Sequence, residues 1–217
     1  PIEVRALQTK YPQGAEKQLI KVFTNREVPS GGGLPMDVGA VVQNAGTVVA
    51  IADAIKKGMP LVERNVTITG PGIKEPSNLL VKVGTMISEV VEECGGLKEN
   101  ARKVILGGPM MGLAQTTLDM PVIKGTSGIL ILTDEEVKIQ EINPCIRCAK
   151  CVEACPVSIL PNMIGSASEK GFLDKAEAFN ATDCIECGCC TYVCPAKRPL
   201  TQWIRMSKGE ILAKRRK

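Results

Sequence analysis

An α+β fold is predicted for this chain, with a small sheet of β-grasp type ahead of a helical, cysteine-built domain. Three observations predict it: a change from helical to strand periodicity after Leu61, a helical stripe between Thr85 and Cys94, and two matched cysteine runs near the C-terminus. The runs carry the most information. Residues 145–156 read Cys145-x2-Cys148-x2-Cys151-x3-Cys155-Pro156, and residues 184–195 repeat this as Cys184-x2-Cys187-x2-Cys190-x3-Cys194-Pro195. The first three thiols of such a run sit on a tight turn that wraps three corners of one cubane, and the fourth ligates the other cluster. Two [4Fe–4S] clusters are therefore expected. Cluster one takes Cys145, Cys148, Cys151 and Cys194; cluster two takes Cys184, Cys187, Cys190 and Cys155.

Structural zinc fits the spacing less well, because its ligands usually form two pairs about a dozen or more residues apart. Here three thiols crowd together twice, and the chain has no histidine. A disulfide framework belongs to short secreted chains with small cores, not to 217 residues that are 44% hydrophobic. Ten cysteines in this pattern need a reducing compartment, so a cytoplasmic location is expected. Cys189 lies outside the repeated spacing and is read as a spare thiol beside Cys190.

Along the chain, Tyr11-Pro12-Gln13-Gly14-Ala15-Glu16-Lys17 opens a helix that runs through Val22 and Phe23, and Pro29 to Pro35 is a loop containing Gly31, Gly32 and Gly33. That triple glycine lacks the Lys-Ser/Thr of a P-loop and reads as a plain turn. Thr47 to Lys57 places Val48, Ile51, Ala52 and Ile55 on one helical face, read as a core-packing helix stopped by Gly58 and Pro60. Val66 and Ile68, then Leu80, Val81 and Val83, form a hairpin. Thr85 is the expected N-cap of the helix carrying Ile87, Val90, Val91 and Cys94, with Gly95 and Gly96 ending it. Cys94 is read as an inert core thiol. Val104 to Leu106 and Gly128 to Leu132 are buried strands, and Thr133-Asp134-Glu135-Glu136 has the capping pattern that starts a helix.

The spacer from Pro156 to Asp183 has near-helical spacing of Leu173, Ala176 and Phe179, so the clusters are expected between helices. Pro199 opens a last helix with Leu200, Trp203, Ile204 and Ile211 inward and Arg205 and Lys208 toward water. From Lys197 onward the chain holds eight basic residues and one acidic, against a net charge of +4 for the whole, so the basicity is concentrated in a tail. That tail suits a helix C-terminus, an anionic lipid surface or an acidic redox partner. With aromatics at 3% there is little to stack on bases, and no nucleic-acid partner is expected. No stretch has the length and apolarity of a transmembrane helix.

The Tyr11–Lys17 segment, Val41-Val42-Gln43-Asn44-Ala45-Gly46-Thr47, the β-grasp stretch around Val66 to Gly96, Leu106-Gly107-Gly108-Pro109-Met110-Met111-Gly112 and the twin cysteine runs together resemble the C subunit of the Rnf electron-transport complex. The resemblance covers essentially the whole chain. It implies the C-terminal part of an α/β flavin domain with a linker helix over residues 1–60, an SLBB-type β-grasp domain over 61–122, a connecting strand and helix over 123–142, and a helical two-cluster ferredoxin domain over 143–217. In the related FMN- and NADH-binding subunit of respiratory complex I, a Tyr-x-x-Gly-Glu-Glu segment lies beside flavin and nicotinamide and an Asn-Asn-x-x-Thr segment touches FMN. Tyr11, Gly14 and Glu16 match the first and Asn44 and Thr47 the second, while Ala15 and Gln43 depart from them.

The implied activity is electron transfer between NADH, by way of FMN, and ferredoxin. The implied partners are membrane and soluble subunits of one ion-translocating complex, at the cytoplasmic side of the cell membrane. A cobalamin reductase of bacterial microcompartments shares this architecture. A ligand- or partner-binding module with structural clusters is the other alternative. The glycine-rich loop that cradles FMN phosphate in such proteins is expected ahead of Pro1, so the chain reads as a fragment. Anaerobically purified protein should accordingly carry about eight irons per chain and little FMN. Metal and sulfide analysis, with flavin fluorescence after denaturation, checks both, and stoichiometric zinc overturns the cluster assignment.

Overall fold

The computed structural model describes residues 2–138 and 141–216. In chain order its elements are α1 (Glu16–Thr24), α2 (Ala45–Lys57), β1 (Glu63–Thr69), β2 (Ser77–Lys82), α3 (Ile87–Glu93), β3 (Ala101–Leu106), β4 (Leu113–Gln115) and β5 (Gly128–Thr133). The C-terminal part follows with α4 (Lys150–Glu153), α5 (Pro161–Glu169), α6 (Leu173–Ala178), α7 (Cys189–Tyr192) and α8 (Leu200–Arg215). The chain divides into two compact units, residues 43–140 and residues 1–42 with 141–217. The division does not fall at the expected 60/61 boundary. Among the described residues no helix is long and apolar enough to cross a membrane.

The 43–140 unit is built on a five-stranded sheet of order β2-β1-β5-β3-β4. Period-two alternation turns Val66 and Ile68 of β1 and Ile129 and Ile131 of β5 into the core, where each is fully buried. Helix α3 lays Ile87, Val90, Val91 and Cys94 across them, the i, i+3, i+4, i+7 stripe that the sequence presents. Burial raises the Cys94 thiol above its ordinary pKa, in keeping with an unreactive core residue. Each such Ile or Val contributes roughly 1.5–3 kcal/mol by leaving water.

Four expectations change. Residues 128–133 are no connecting strand: β5 is the middle of the sheet, parallel to β1 and antiparallel to β3, and the module ends at Thr133. A strand in the middle of a sheet has its backbone donors and acceptors turned to both neighbours, and β1 and β3 supply the partners. The capping pattern after it forms, with the Thr133 backbone amide and hydroxyl donating to the Glu136 carboxylate at 2.8 and 2.7 Å. It yields one turn and no helix as far as Lys138, because no apolar stripe follows; Ile139 and Gln140 lie outside the described residues.

The cap of α3 is Met86 rather than Thr85, whose carbonyl instead accepts the Val122 amide. The fourth change concerns α2. Asn44 caps it by accepting the Gly46 amide and Gly58 closes it in the left-handed region, yet no residue of α2 is buried. Val48, Ile51 and Ile55 are 53%, 47% and 80% exposed, so periodicity made the helix without packing its stripe in this chain.

In the other unit, α8 runs against α5, α6 and both cysteine loops. Its Ile204 and Ile211 are buried with Ile159, Ile164, Ala167, Ala176 and Ala181, and its Leu200 with Cys151 and Cys190. The spacer is helical, as expected. Gly165 lets α5 approach closely, because a Cβ there would stand 2.6 Å from Leu200 Cδ2.

Two glycines of the sheet module differ in what confines them. Gly70 and Gly84 both have left-handed φ, but a Cβ on Gly70 would meet the Ile131 carbonyl oxygen at 2.1 Å and one on Gly84 would meet nothing within 4 Å. Gly84→Ala should cost about 1 kcal/mol of strain, and Gly70→Ala on the order of 3–4 kcal/mol because central β5 must move. Denaturant unfolding of the two variants checks the order, and equal losses would show that the close approach to β5 is not felt.

Candidate functional site

The two cysteine runs fold alike because they repeat backbone conformation as well as sequence. Left-handed φ recurs at Arg147, Ala149 and Ser158 in the first run and at Glu186, Gly188 and Lys197 in the second. These reversals curl each loop around its own thiols. The Arg147 amide donates to Cys145 Sγ at 3.4 Å and the Glu186 amide to Cys184 Sγ at 3.3 Å. One-turn helices, α4 and α7, then follow at matched positions. Left-handed non-glycine residues cost roughly 1–3 kcal/mol each, so these loops persist only because their surroundings hold them.

The eight motif thiols surround two cavities. Cys145, Cys148, Cys151 and Cys194 line the first, and Cys155, Cys184, Cys187 and Cys190 the second. Each cavity thus takes three thiols from one run and the last thiol of the other. Among the described residues no three His, Cys, Asp or Glu side chains gather tightly enough to hold a single ion. Four thiols standing around a cavity suit a core of several irons better than one metal at about 2.3 Å from each sulfur.

Burial favours the neutral thiol at Cys151, Cys184 and Cys190, lifting Cys184 to about 11. Such a set becomes a thiolate cage only when a positive metal core neutralises it. In the wall of the first cavity the Asn162 side-chain oxygen is buried without a hydrogen-bond partner. Turned over, the same amide presents N–H donors to sulfur. The donor sets fit [4Fe–4S] groups.

The two sites differ in what surrounds them. Cys145 and Cys148 are exposed, while Cys184, Cys187 and Cys190 are buried. Arg198 lines the first cavity, buried, paired with Glu169 at 2.5 Å and lying over the Trp203 ring at 4.8 Å. At the second, Thr201 Oγ1 lies 3.5 Å from Cys190 Sγ and accepts from the Thr191 hydroxyl at 2.9 Å, which leaves its own proton for the sulfur. Thr191 in turn accepts the Thr201 amide, so the donors form a chain.

Arg205 and Lys208, expected in water, are partly buried on Glu186, at 2.7 and 3.1 Å, and Lys208 Nζ donates to the Cys184 carbonyl at 2.7 Å. The acidic residue of the second loop draws them inward. None of these contacts was visible in the cysteine spacing. Their common signal was the helical period of α8, which puts Thr201, Arg205 and Lys208 on one side. Cys189 lines neither cavity; burial and the neighbouring Cys187 and Cys190 thiols push it up to about 12.

Of the residues matched to a flavin site, Tyr11, Gly14 and Glu16 belong to the cysteine-bearing unit and Asn44 and Thr47 to the sheet-bearing unit. Tyr11 donates its hydroxyl to the Cys187 carbonyl at 2.6 Å. Burial, with Cys187 and Cys189 nearby, raises its phenol and keeps it a donor. Asn44 uses its side-chain oxygen as the α2 cap, and Glu16 is the acidic residue of the first turn of α1. The glycine loop makes no phosphate cradle, because the Gly31 amide already donates to the Asp183 carboxylate at 2.8 Å and Ser30 bonds to it as well.

Residues 1–53 match the family model of the Nuo51 FMN-binding domain, residues 65–114 the SLBB domain and residues 137–195 a 4Fe-4S dicluster domain. The C subunit of the proton-translocating ferredoxin:NAD(+) oxidoreductase complex of Clostridium ljungdahlii is 53% identical over 96% of this chain and 46% of its own length. The C subunit of the Na(+)-translocating ferredoxin:NAD(+) oxidoreductase complex of Acetobacterium woodii is 52% identical over 100% of this chain and 48% of its own. That of the ion-translocating oxidoreductase complex of Rhodobacter capsulatus is 41% identical over 96% and 40%. The chain spans 40–48% of the length of these three relatives. Over nearly its whole length the chain is thus similar to the C subunits of ion-translocating ferredoxin:NAD(+) oxidoreductase complexes, and its FMN-binding, SLBB and dicluster matches follow one another along it in that order.

Proposed function

We propose that this chain is the electron-transferring part of an NADH:ferredoxin oxidoreductase subunit within an ion-translocating complex. Two four-thiol cavities with exchanged fourth ligands carry this reading. Cys145, Cys148, Cys151 and Cys194 hold cluster one; Cys184, Cys187, Cys190 and Cys155 hold cluster two. Iron bound only by thiolates offers substrate no open position, so such groups supply one-electron transfer. The chain's own part is to fix the two sites against each other, to shield the second from water and to place donors on sulfur. The Thr191–Thr201 pair and the Arg147 and Glu186 amides face sulfur, and the Lys208 ammonium donates to the Cys184 carbonyl; each favours added negative charge at the site it faces.

FMN is bound by the whole subunit, with Tyr11, Gly14, Glu16, Asn44 and Thr47 contributing to the flavin and NADH region. The names of the relatives and the FMN-binding match of residues 1–53 support this part. The subunit works peripherally at the cytoplasmic side of the cell membrane, with membrane and soluble subunits of its complex and ferredoxin as partners. The basic tail contributes less to docking there than its charge implies. Arg198, Arg205, Lys208 and Arg215 are all engaged within the chain, the last with Glu177 and the Gly31 carbonyl.

Exchanged ligation gives the test. Cys194→Ser should impair the cluster held by Cys145, Cys148 and Cys151 and lower iron from about eight toward about four per chain, while Cys189→Ser leaves both clusters in place. Mössbauer and EPR spectra of anaerobically prepared protein resolve the two. Damage confined to the cluster of Cys184, Cys187 and Cys190 would show that each run closes on itself.

A further inference from the structure

Residues 1–42, all of them within the FMN-binding match, form side-chain hydrogen bonds with one of the two cysteine sites. Tyr11 donates to the Cys187 carbonyl at 2.6 Å, and Gln18 Nε2 donates to the carbonyl of Pro156, next to Cys155, at 3.1 Å. Ser30 and the Gly31 amide hold the carboxylate of Asp183, next to Cys184. Three of the four cysteines lining the second cavity are therefore held at their own carbonyl or through an adjoining residue. Among the described residues no side-chain hydrogen bond joins residues 1–42 to the Cys145–Cys151 loop, which is exposed through Cys148 and carries Ile146 and Arg147 at its surface.

We propose that Tyr11 is a positioning residue for the second cysteine site, and that this site, not the first, is the one coupled to the flavin-binding part of the subunit. The inference rests on the function proposed above. A hydroxyl donated to the Cys187 carbonyl draws electron density from the peptide of a ligand residue and so favours the more negative, reduced state of the group that Cys187 holds. The exchanged fourth thiols give each site a separate address. A perturbation at Tyr11 acts on the Cys184–Cys190 loop, whereas one at Arg147, in the wall of the first cavity, acts on the Cys145–Cys151 loop.

The test uses the full-length protein with clusters and flavin in place, titrated potentiometrically and read by EPR, the two clusters being identified through the Cys194→Ser protein. Tyr11→Phe should lower the midpoint potential of the second cluster and leave the first in place. Gln18→Ala, which alters the other contact, should shift the second cluster alone, and Arg147→Gln should lower the first alone. Removing the flavin from the unaltered protein should shift the spectrum or potential of the second cluster only, and Tyr11→Phe should reduce that response. A first-cluster response to Tyr11→Phe or to flavin removal, or no change in either cluster, overturns the proposal. Absence of two iron–sulfur signals from the unaltered protein would instead overturn the functional reading on which it stands.

Discussion

Exchange of the fourth thiol between the two runs is the constraint on which the C-terminal architecture depends. If Cys194 must stand with Cys145, Cys148 and Cys151 while Cys155 stands with Cys184, Cys187 and Cys190, the loops must lie face to face. Each must also reverse direction within a few residues, which is why left-handed backbone recurs at three matched positions. Helix α8 then fills the remaining side. Its Leu200 enters the wall of the first cavity, and its Thr201 and Ile204 the wall of the second. Packing of α8 and the walls of both cysteine cavities are thus carried by the same few residues.

The matched loops are set in unlike surroundings, and their sequences differ at six of twelve positions. The second loop has Glu186 where the first has Arg147, and Cys189 where the first has Lys150. Glu186 recruits Arg205 and Lys208 from α8 and is covered by them; Arg147 and Lys150 remain exposed. A duplicated motif can supply two sites of the same ligand chemistry and still give them different dielectric surroundings, because burial is decided by neighbouring elements and not by ligand spacing.

Much of this was legible from periodicity. The hairpin of β1 and β2, the α3 stripe, the helical spacer and the inward residues of α8 all follow from one-dimensional patterns whose period matches their element. What failed to show were properties that depend on a second element. The apolar stripe of α2 predicted burial correctly only if some surface lay against it, and in this chain none covers Ile55. β5 read as a buried strand, but its place between β1 and β3 is a long-range pairing that no local pattern encodes. The cysteine spacing named eight thiols and their grouping. The groups lying beside them, Thr191, Thr201, Lys208 and Tyr11, carry no ligand motif of their own.

The central position of β5 has a consequence for the order of events during synthesis. The hairpin and α3 emerge from the ribosome first, but the sheet has a gap between β1 and β3 until Gly128–Thr133 has been translated and can enter. Until then β1 and β3 each present an unpaired edge, and the apolar side of α3 has only part of its floor. The sheet is therefore incomplete until its last strand is available, and the stretch that follows in sequence leads to the first cysteine loop.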